Sequence, residues 1–252
     1  MLLHGLVATG DIFGRDFDTP ADSVVVVPDL LGFGRSLDET RTDFEPEAHL
    51  DALDQMLIDL DLADRPLVIG AHSMGAALAL RWAARRGAGV ERIVCWGAPV
   101  YADADAVDEA LVSTGVMARL FAADTRWARR ACEWNCRHRT AAGWLAAALA
   151  PSMPVTIARA ASLHSWPAYR DSMAHLVGDT DWRDLAARVT GTGTSLQFVW
   201  GEADRIGDRR YLQESTGLHP LVVRGDGHHL PMTRAAWCAS QVGTPNTTGC
   251  RS

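Results

Sequence analysis

Ser73 lies within Ile69-Gly70-Ala71-His72-Ser73-Met74-Gly75-Ala76. There a run suited to a buried strand meets a helix with no residues left over for a loop. Such a junction forces unusual dihedrals on the serine, so the positions two residues away on either side must be small. The usual pattern is Gly-x-Ser-x-Gly; here Ala71 fills the first small position and Gly75 the second. Ser73 is therefore a candidate nucleophile. The competing reading makes it a helix N-cap, a role serine often takes.

A serine hydroxyl needs a base, and the base needs an orienting acid. Asp204 follows the strand-like run 196–200, and His228 follows the run 220–224. Serine, acid and histidine thus come in the order expected of a strand-borne triad, each just past a strand's carboxyl end, where open parallel sheets collect reactive groups. Other assignments stay in view. His229 reads as packing beside the base, and Asp226 is too close to His228 in sequence to reach its ring comfortably. Asp103 and Asp105 are an alternative acid position, against which stands the reading of helix N-terminal charge. Asp29 reads as a turn-stabilising residue.

The chemistry also needs two backbone N–H donors for the oxyanion of a tetrahedral intermediate. Met74, after the nucleophile, supplies one; Leu6, in the loop His4-Gly5-Leu6-Val7, supplies the other. Gly5 lets the backbone approach closely, and His4 braces the loop by hydrogen bonding. His72 sits beside the nucleophile in the same elbow.

The elements that must hold these residues alternate between strand and helix. Residues 23–30 read as a buried β-branched strand, and 47–62 as a helix with Leu50, Leu53, Met56, Leu57 and Leu60 on one face. Residues 66–73 and 92–100 read as further strands, with a helix over 74–87 capped by Gly87 between them. From 101 to 185 strand signals give way to helices over 106–121, 124–138, 141–149 and 155–177, the last broken near Pro167. Strand rhythm returns within 196–204 and 220–229, with the strands at 196–200 and 220–224, and a helix follows over 231–241. The expectation is an α/β fold with a mostly parallel sheet: a core from 1–100 and 186–242, a helical cap from 101–185, and a disordered tail over 243–252.

The stretches "LLHGLVATG", "PDLLGFGRS", "GAHSMGAALAL", "VWGEADRI" and "GDGHHLP", in that order, resemble the α/β-hydrolase fold superfamily. The likeness is to its capped haloperoxidase-like and esterase-like branch. It covers roughly residues 2–100 and 195–235. The resemblance implies an eight-stranded, mostly parallel sheet, no cofactor, and the roles already given to Ser73, Asp204, His228, Leu6 and Met74. A serine at the elbow sets the chain apart from the dehalogenase and epoxide-hydrolase members, which use aspartate there. Members of the superfamily also carry two strands before the His-Gly strand, so the N-terminal strands are expected to be missing, with a coding region extending upstream of Met1 or a chain that is a fragment.

Composition narrows the classes. A formal net charge of −7 argues against a nucleic-acid partner. No apolar run is long enough to span a membrane, and no secretory leader opens the chain, so a cytoplasmic protein is expected. Five scattered cysteines do not make a disulfide framework. Cys132 and Cys136, with His138 nearby, lack a fourth ligand, so no metal is expected and the two read as helix thiols. The basic stretch 126–139 reads as a solvated helix face, and Trp127, Trp134, Trp144, Trp166 and Trp182 as residues packing the cap. The functional expectation is a serine hydrolase acting on an ester or related acyl bond of a small, largely apolar molecule. The alternatives are a carbon–carbon bond hydrolase or a cofactor-free perhydrolase on the same triad, or a catalytically silent ligand-binding protein of the same fold.

Overall fold

Alternation of apolar side chains at period two builds the centre of the molecule. In the computed structural model, which describes residues 1–17, 23–113, 126–151, 153–179 and 181–243, five strands pair in parallel in the order β1-β2-β3-β4-β5. They are β1 (Leu2–Leu3), β2 (Leu67–His72), β3 (Val90–Trp96), β4 (Ser195–Gly201) and β5 (Leu221–Val223). Ile93 and Cys95 of β3, with Phe198 and Trp200 of β4, enter one core; Val94, Trp96 and Val199 enter the core on the opposite face.

Helices cover both faces, as parallel strands buried on two sides require. Over the first lie α1 (Pro46–Asp59) and α2 (Met74–Arg86), whose Leu50, Leu53, Leu57, Leu78, Leu80 and Trp82 are buried together. Between β3 and β4 come α3 (Ala104–Ser113), α4 (Arg126–Arg137), α5 (Arg139–Leu149), α6 (Val155–Ala160), α7 (Trp166–Ser172) and α8 (Trp182–Gly191). In α8, Trp182, Leu185 and Val189 join the first core, so this helix runs across residue 185 and packs on the sheet. The second face is closed by Ile12, Phe13 and Phe17 and by α10 (Leu230–Thr233) and α11 (Ala235–Gly243), after α9 (Arg209–Thr216) has joined β4 to β5. No described helix is long and apolar enough to cross a membrane.

Several expectations need correction. Residues 23–30 form no strand: Val24 is 71% exposed, and the segment meets the sheet through one backbone bond, Leu2 N–H to Val26 O at 2.9 Å. With β1 only two residues long, there is no ladder for a longer partner to extend. The described residues accordingly hold five strands rather than eight. The helix expected over 155–177 is three pieces: α6, α7 and a π turn at Met173–Val177. The break falls at 161–165, where Ser165 caps α7 and Pro167 occupies its first turn, a position that tolerates proline's missing N–H. The end of the helix expected over 106–121, the start of the one over 124–138 and the tail from 244 lie outside the described residues. Of the five tryptophans in this region, only Trp182 is fully buried, while Trp127, Trp134 and Trp144 are exposed.

Candidate active site

Ser73 sits where β2 becomes α2, and its backbone takes φ 53° and ψ −123°, a region sparsely populated by L-residues. Holding it there costs on the order of 1–3 kcal/mol, which the buried strand and helix on either side must supply. Gly75 explains why small residues flank the elbow. A Cβ on it would lie 2.5 Å from the Leu3 carbonyl oxygen and 2.7 Å from that of His4. Ala71 is fully buried, its methyl accommodated in the core. Ser73 stands at the N-cap position of α2, and its side chain makes no capping hydrogen bond there.

Asp204 and His228 meet. The His228 Nδ1–H donates to Asp204 Oδ2 at 3.0 Å, and Asp204 Oδ1 accepts from the Ile206 amide at 2.8 Å. The Asp204 side chain is fully buried and that of His228 is 21% exposed, so the carboxylate is sequestered while the imidazole keeps an open edge. With the proton on Nδ1, Nε2 carries the lone pair that a hydroxyl proton would need. Gly97, at the end of β3, lies against this pair: a Cβ there would come within 2.8 Å of His228 Nδ1 and 2.9 Å of Asp204 Oδ2. The neighbouring Trp96 carbonyl accepts from the Ser73 amide at 2.9 Å, which brings the elbow to the same strand end. Ser73 Oγ makes no hydrogen bond to His228 among the described residues; such contacts often tighten only when substrate binds.

His72 ties His228 to the elbow. Its Nε2–H donates to the His228 carbonyl at 3.0 Å, and the two rings lie 4.7 Å apart. Burial, reinforced by the neighbouring His228 and His229, pushes the His72 pKa well below its ordinary value, so the ring is neutral. Its Nδ1 has no hydrogen-bond partner and lies 3.0 Å from where a Cβ on Gly5 would be. The His229 ring, 6.0 Å from His72 and 5.3 Å from His228, packs beside both imidazoles.

The loop after β1 is built around His4. Its Nδ1–H donates to the Gly5 carbonyl at 2.8 Å, while its Nε2 accepts from the Leu30 amide at 2.8 Å, joining the loop to the 23–30 segment. Burial lowers its pKa to about 4, which keeps the ring neutral and this bonding pattern intact. A Cβ on Gly5 would lie 3.0 Å from the Ser73 Cβ, so the loop is pressed against the elbow. Val7, next in the loop after Leu6, has φ 49°, a strained value for a β-branched residue. The Leu6 and Met74 amides have no acceptor among the described residues.

Of the other candidate carboxylates, Asp226, Asp103 and Asp29 are engaged elsewhere, whereas Asp105 has no side-chain partner among the described residues. Asp226 pairs with Arg234 at 2.8 Å, and Asp103 accepts from the Ala106 amide at the start of α3. Asp29 accepts from the Gly10 amide and from the amide and Nε of Arg35, which is the turn-stabilising role expected of it. No cluster among the described residues has the geometry to hold a metal. Gly97, Val7 and the His72–His228 bond escaped the sequence reading. Only Gly97 left a signal there, as a glycine inside the strand read over 92–100, which ends at Trp96.

The profile of the alpha/beta hydrolase family matches residues 1–241. A lipase of Moraxella sp. strain TA144 is 33% identical over 85 residues, 34% of this chain and 27% of the lipase. The matched stretch thus spans about a quarter of the length of the curated relatives. Among solved structures, an N-acyl homoserine lactonase complexed with N-butanoyl homoserine superposes with a TM-score of 0.68 at 18% identity, covering 100% of this chain and 90% of that one. A thermophilic esterase from Thermogutta terrifontis superposes with a TM-score of 0.65 at 20% identity, covering 96% and 89%. At such identities the likeness is one of fold.

Proposed function

We propose that this chain, which belongs to the alpha/beta hydrolase family, is a serine hydrolase cleaving an ester or related acyl bond of a small, largely apolar molecule. The observation that carries the reading is the buried Asp204 holding His228 by Nδ1 while Ser73 stands strained and uncapped at the neighbouring strand end. In the proposed reaction Ser73 Oγ attacks the acyl carbon as His228 Nε2 takes its proton. Asp204 keeps the imidazole in the right tautomer and stabilises the imidazolium. The Leu6 and Met74 amides receive the oxyanion. His228 then returns the proton to the leaving alcohol, and water, activated by the same histidine, releases the acyl group from Ser73. No metal or cofactor takes part in these steps. We further propose that residues 101–185 cap the site. The lipase, the esterase and the lactonase to which the chain is similar agree with an acyl ester as substrate class.

A fluorophosphonate probe tests the assignment directly. Folded wild-type protein is expected to be labelled on Ser73, and Ser73→Ala to stay unlabelled. Absence of label on folded wild-type protein refutes the hydrolase reading. A series of p-nitrophenyl esters of rising acyl length then reads the size of the acyl group accepted.

A further inference from the structure

A second chemically equipped cluster lies away from the triad, where α4 meets the segment 161–165. Cys132 and Cys136 stand one helical turn apart on α4, and both sulfurs converge on one residue of the facing segment. Cys132 Sγ lies 3.5 Å from His164 Nε2, and Cys136 Sγ lies 3.4 Å from the His164 carbonyl oxygen. The His164 Nδ1–H donates to the Ala161 carbonyl at 2.9 Å, so its Nε2 is an acceptor facing the Cys132 thiol. Arg139 closes the cluster, donating to the carbonyls of Ser162 at 2.8 Å and His164 at 2.9 Å. His138, the histidine adjacent in sequence, takes no part: its ring packs on Trp134. The partner that sequence proximity suggested is replaced by one that only the fold brings in.

The two thiols are not equivalent. Cys132 is 2% exposed, whereas Cys136 is half-buried, reachable by a small reagent. The Cys132 thiol, the Arg139 guanidinium and the Trp166 amide favour an anion on Cys136 and lower its pKa to about 6, against burial and the Glu39 carboxylate. The neighbouring Cys136 sulfur and burial push the Cys132 pKa up. A partly exposed sulfur that favours the thiolate, backed by a protonated thiol and an imidazole acceptor, is the arrangement of an attacking thiol with a resolving partner.

We propose that Cys132 and Cys136 are an oxidisable thiol pair, a modification site that reacts with a hydroperoxide and closes to a disulfide over His164. In the first step the Cys136 thiolate attacks the terminal oxygen of the hydroperoxide. The S–O bond forms, the O–O bond breaks, and the alkoxide (or, from hydrogen peroxide, hydroxide) leaves, taking a proton from water. In the second, the Cys132 thiol attacks the sulfur of the Cys136 sulfenic acid. The S–S bond forms, the S–O bond breaks, and the departing hydroxide takes the Cys132 proton directly and leaves as water. Residues one turn apart keep their Cβ atoms about 5–6 Å apart, whereas a disulfide brings them to about 3.8 Å. The helix must therefore loosen where the bond closes. Cys136 lies in the last turn of α4, which ends at Arg137, and a terminal turn is where a helix yields most cheaply. The site is two ring contacts from the oxyanion loop, since His164 packs on Phe33 at 6.4 Å and Phe33 on His4 at 6.0 Å.

The test requires no assay of hydrolysis. Trypsin releases both cysteines in one peptide, residues 131–137, while Cys238 and Cys250 share the peptide 235–251. After the full chain is treated with equimolar hydrogen peroxide, peptide 131–137 is expected to lose two hydrogens, about 2 Da, and to regain them with dithiothreitol. In Cys132→Ser, dimedone is expected to trap the sulfenic acid on Cys136. The proposal is overturned if peptide 131–137 stays reduced at a peroxide level that oxidises peptide 235–251. It is equally overturned if the wild-type peptide gains oxygen without ever losing two hydrogens.

Discussion

Gly97→Ala is a substitution whose effect the geometry of the proposed triad dictates. Gly97 has φ +60°, and an added Cβ would lie 2.8 Å from His228 Nδ1, 2.9 Å from Asp204 Oδ2 and 3.0 Å from His228 Cε1. Ordinary carbon contacts are about 3.5 Å, so the methyl overlaps both groups by roughly 0.6 Å. Neither can retreat freely. Asp204 is held by the Ile206 amide at 2.8 Å, and the His228 backbone is held by His72 at 3.0 Å. The least costly relief is to open the 3.0 Å bond between them, which separates the proposed base from its proposed orienting acid. Losing that orientation lowers kcat by about 10⁴ in a comparable triad, equivalent to about 5 kcal/mol of transition-state stabilisation. An alanine at positive φ adds only about 1–2 kcal/mol of destabilisation, so activity should fall far more than stability. Hydrolysis of p-nitrophenyl butyrate, with urea denaturation alongside, reads both. Asp204→Asn should give a similar loss, and the double variant should be no worse than Asp204→Asn alone, because both changes act on one bond. A folded Gly97→Ala protein with kcat within threefold of wild type refutes the reasoning.

The remaining predictions concern stability. Burial lowers the pKa of His4, His49 and His164 from 6.5 to about 4. The unfolded chain therefore takes up protons that the folded chain refuses, and stability is full above about pH 6.5 and falls as the pH drops towards 4. Each group accounts for about 3 kcal/mol, so urea midpoints should fall steeply across this window; a flat profile between pH 7 and 4.5 contradicts the burial of these rings. Gly75→Ala drives a methyl into the Leu3 and His4 carbonyls at 2.5 and 2.7 Å. A loss of about 1–3 kcal/mol in urea denaturation is expected, and an unchanged midpoint would mean that the loop does not press on the elbow. Asp29→Ala strands the amides of Gly10 and Arg35. It should cost about 1.5–3 kcal/mol, measured the same way; a neutral result would show that this turn holds without its carboxylate.

The residues proposed for catalysis were legible because each is announced locally. Strand runs of β-branched and aromatic residues end at Ser73, near Asp204 and near His228, and the small residues around Ser73 record a steric demand of its own backbone. The parallel sheet, α1, α2 and the break into helices after β3 were legible for the same reason, being patterns of period two or 3.6 within one segment. The failure at residues 23–30 is equally physical. Four consecutive valines suit a strand, but a strand forms only where a neighbour offers a ladder, and β1 offers two residues. Likewise Pro167 reads as a break, yet within its own helix it is part of a start.

From the sequence alone one could determine which residue types stand at the strand ends, in what order, and the period of the elements carrying them. Tertiary structure alone decided that Gly97 abuts the Asp204–His228 pair, that His72 holds His228 by its carbonyl, and that Cys132 meets His164 rather than His138. Such contacts join segments tens to more than a hundred residues apart, and no local pattern encodes them. They depend on how sheet, helices and loops close on one another, where the position of one backbone determines which side chains another can reach.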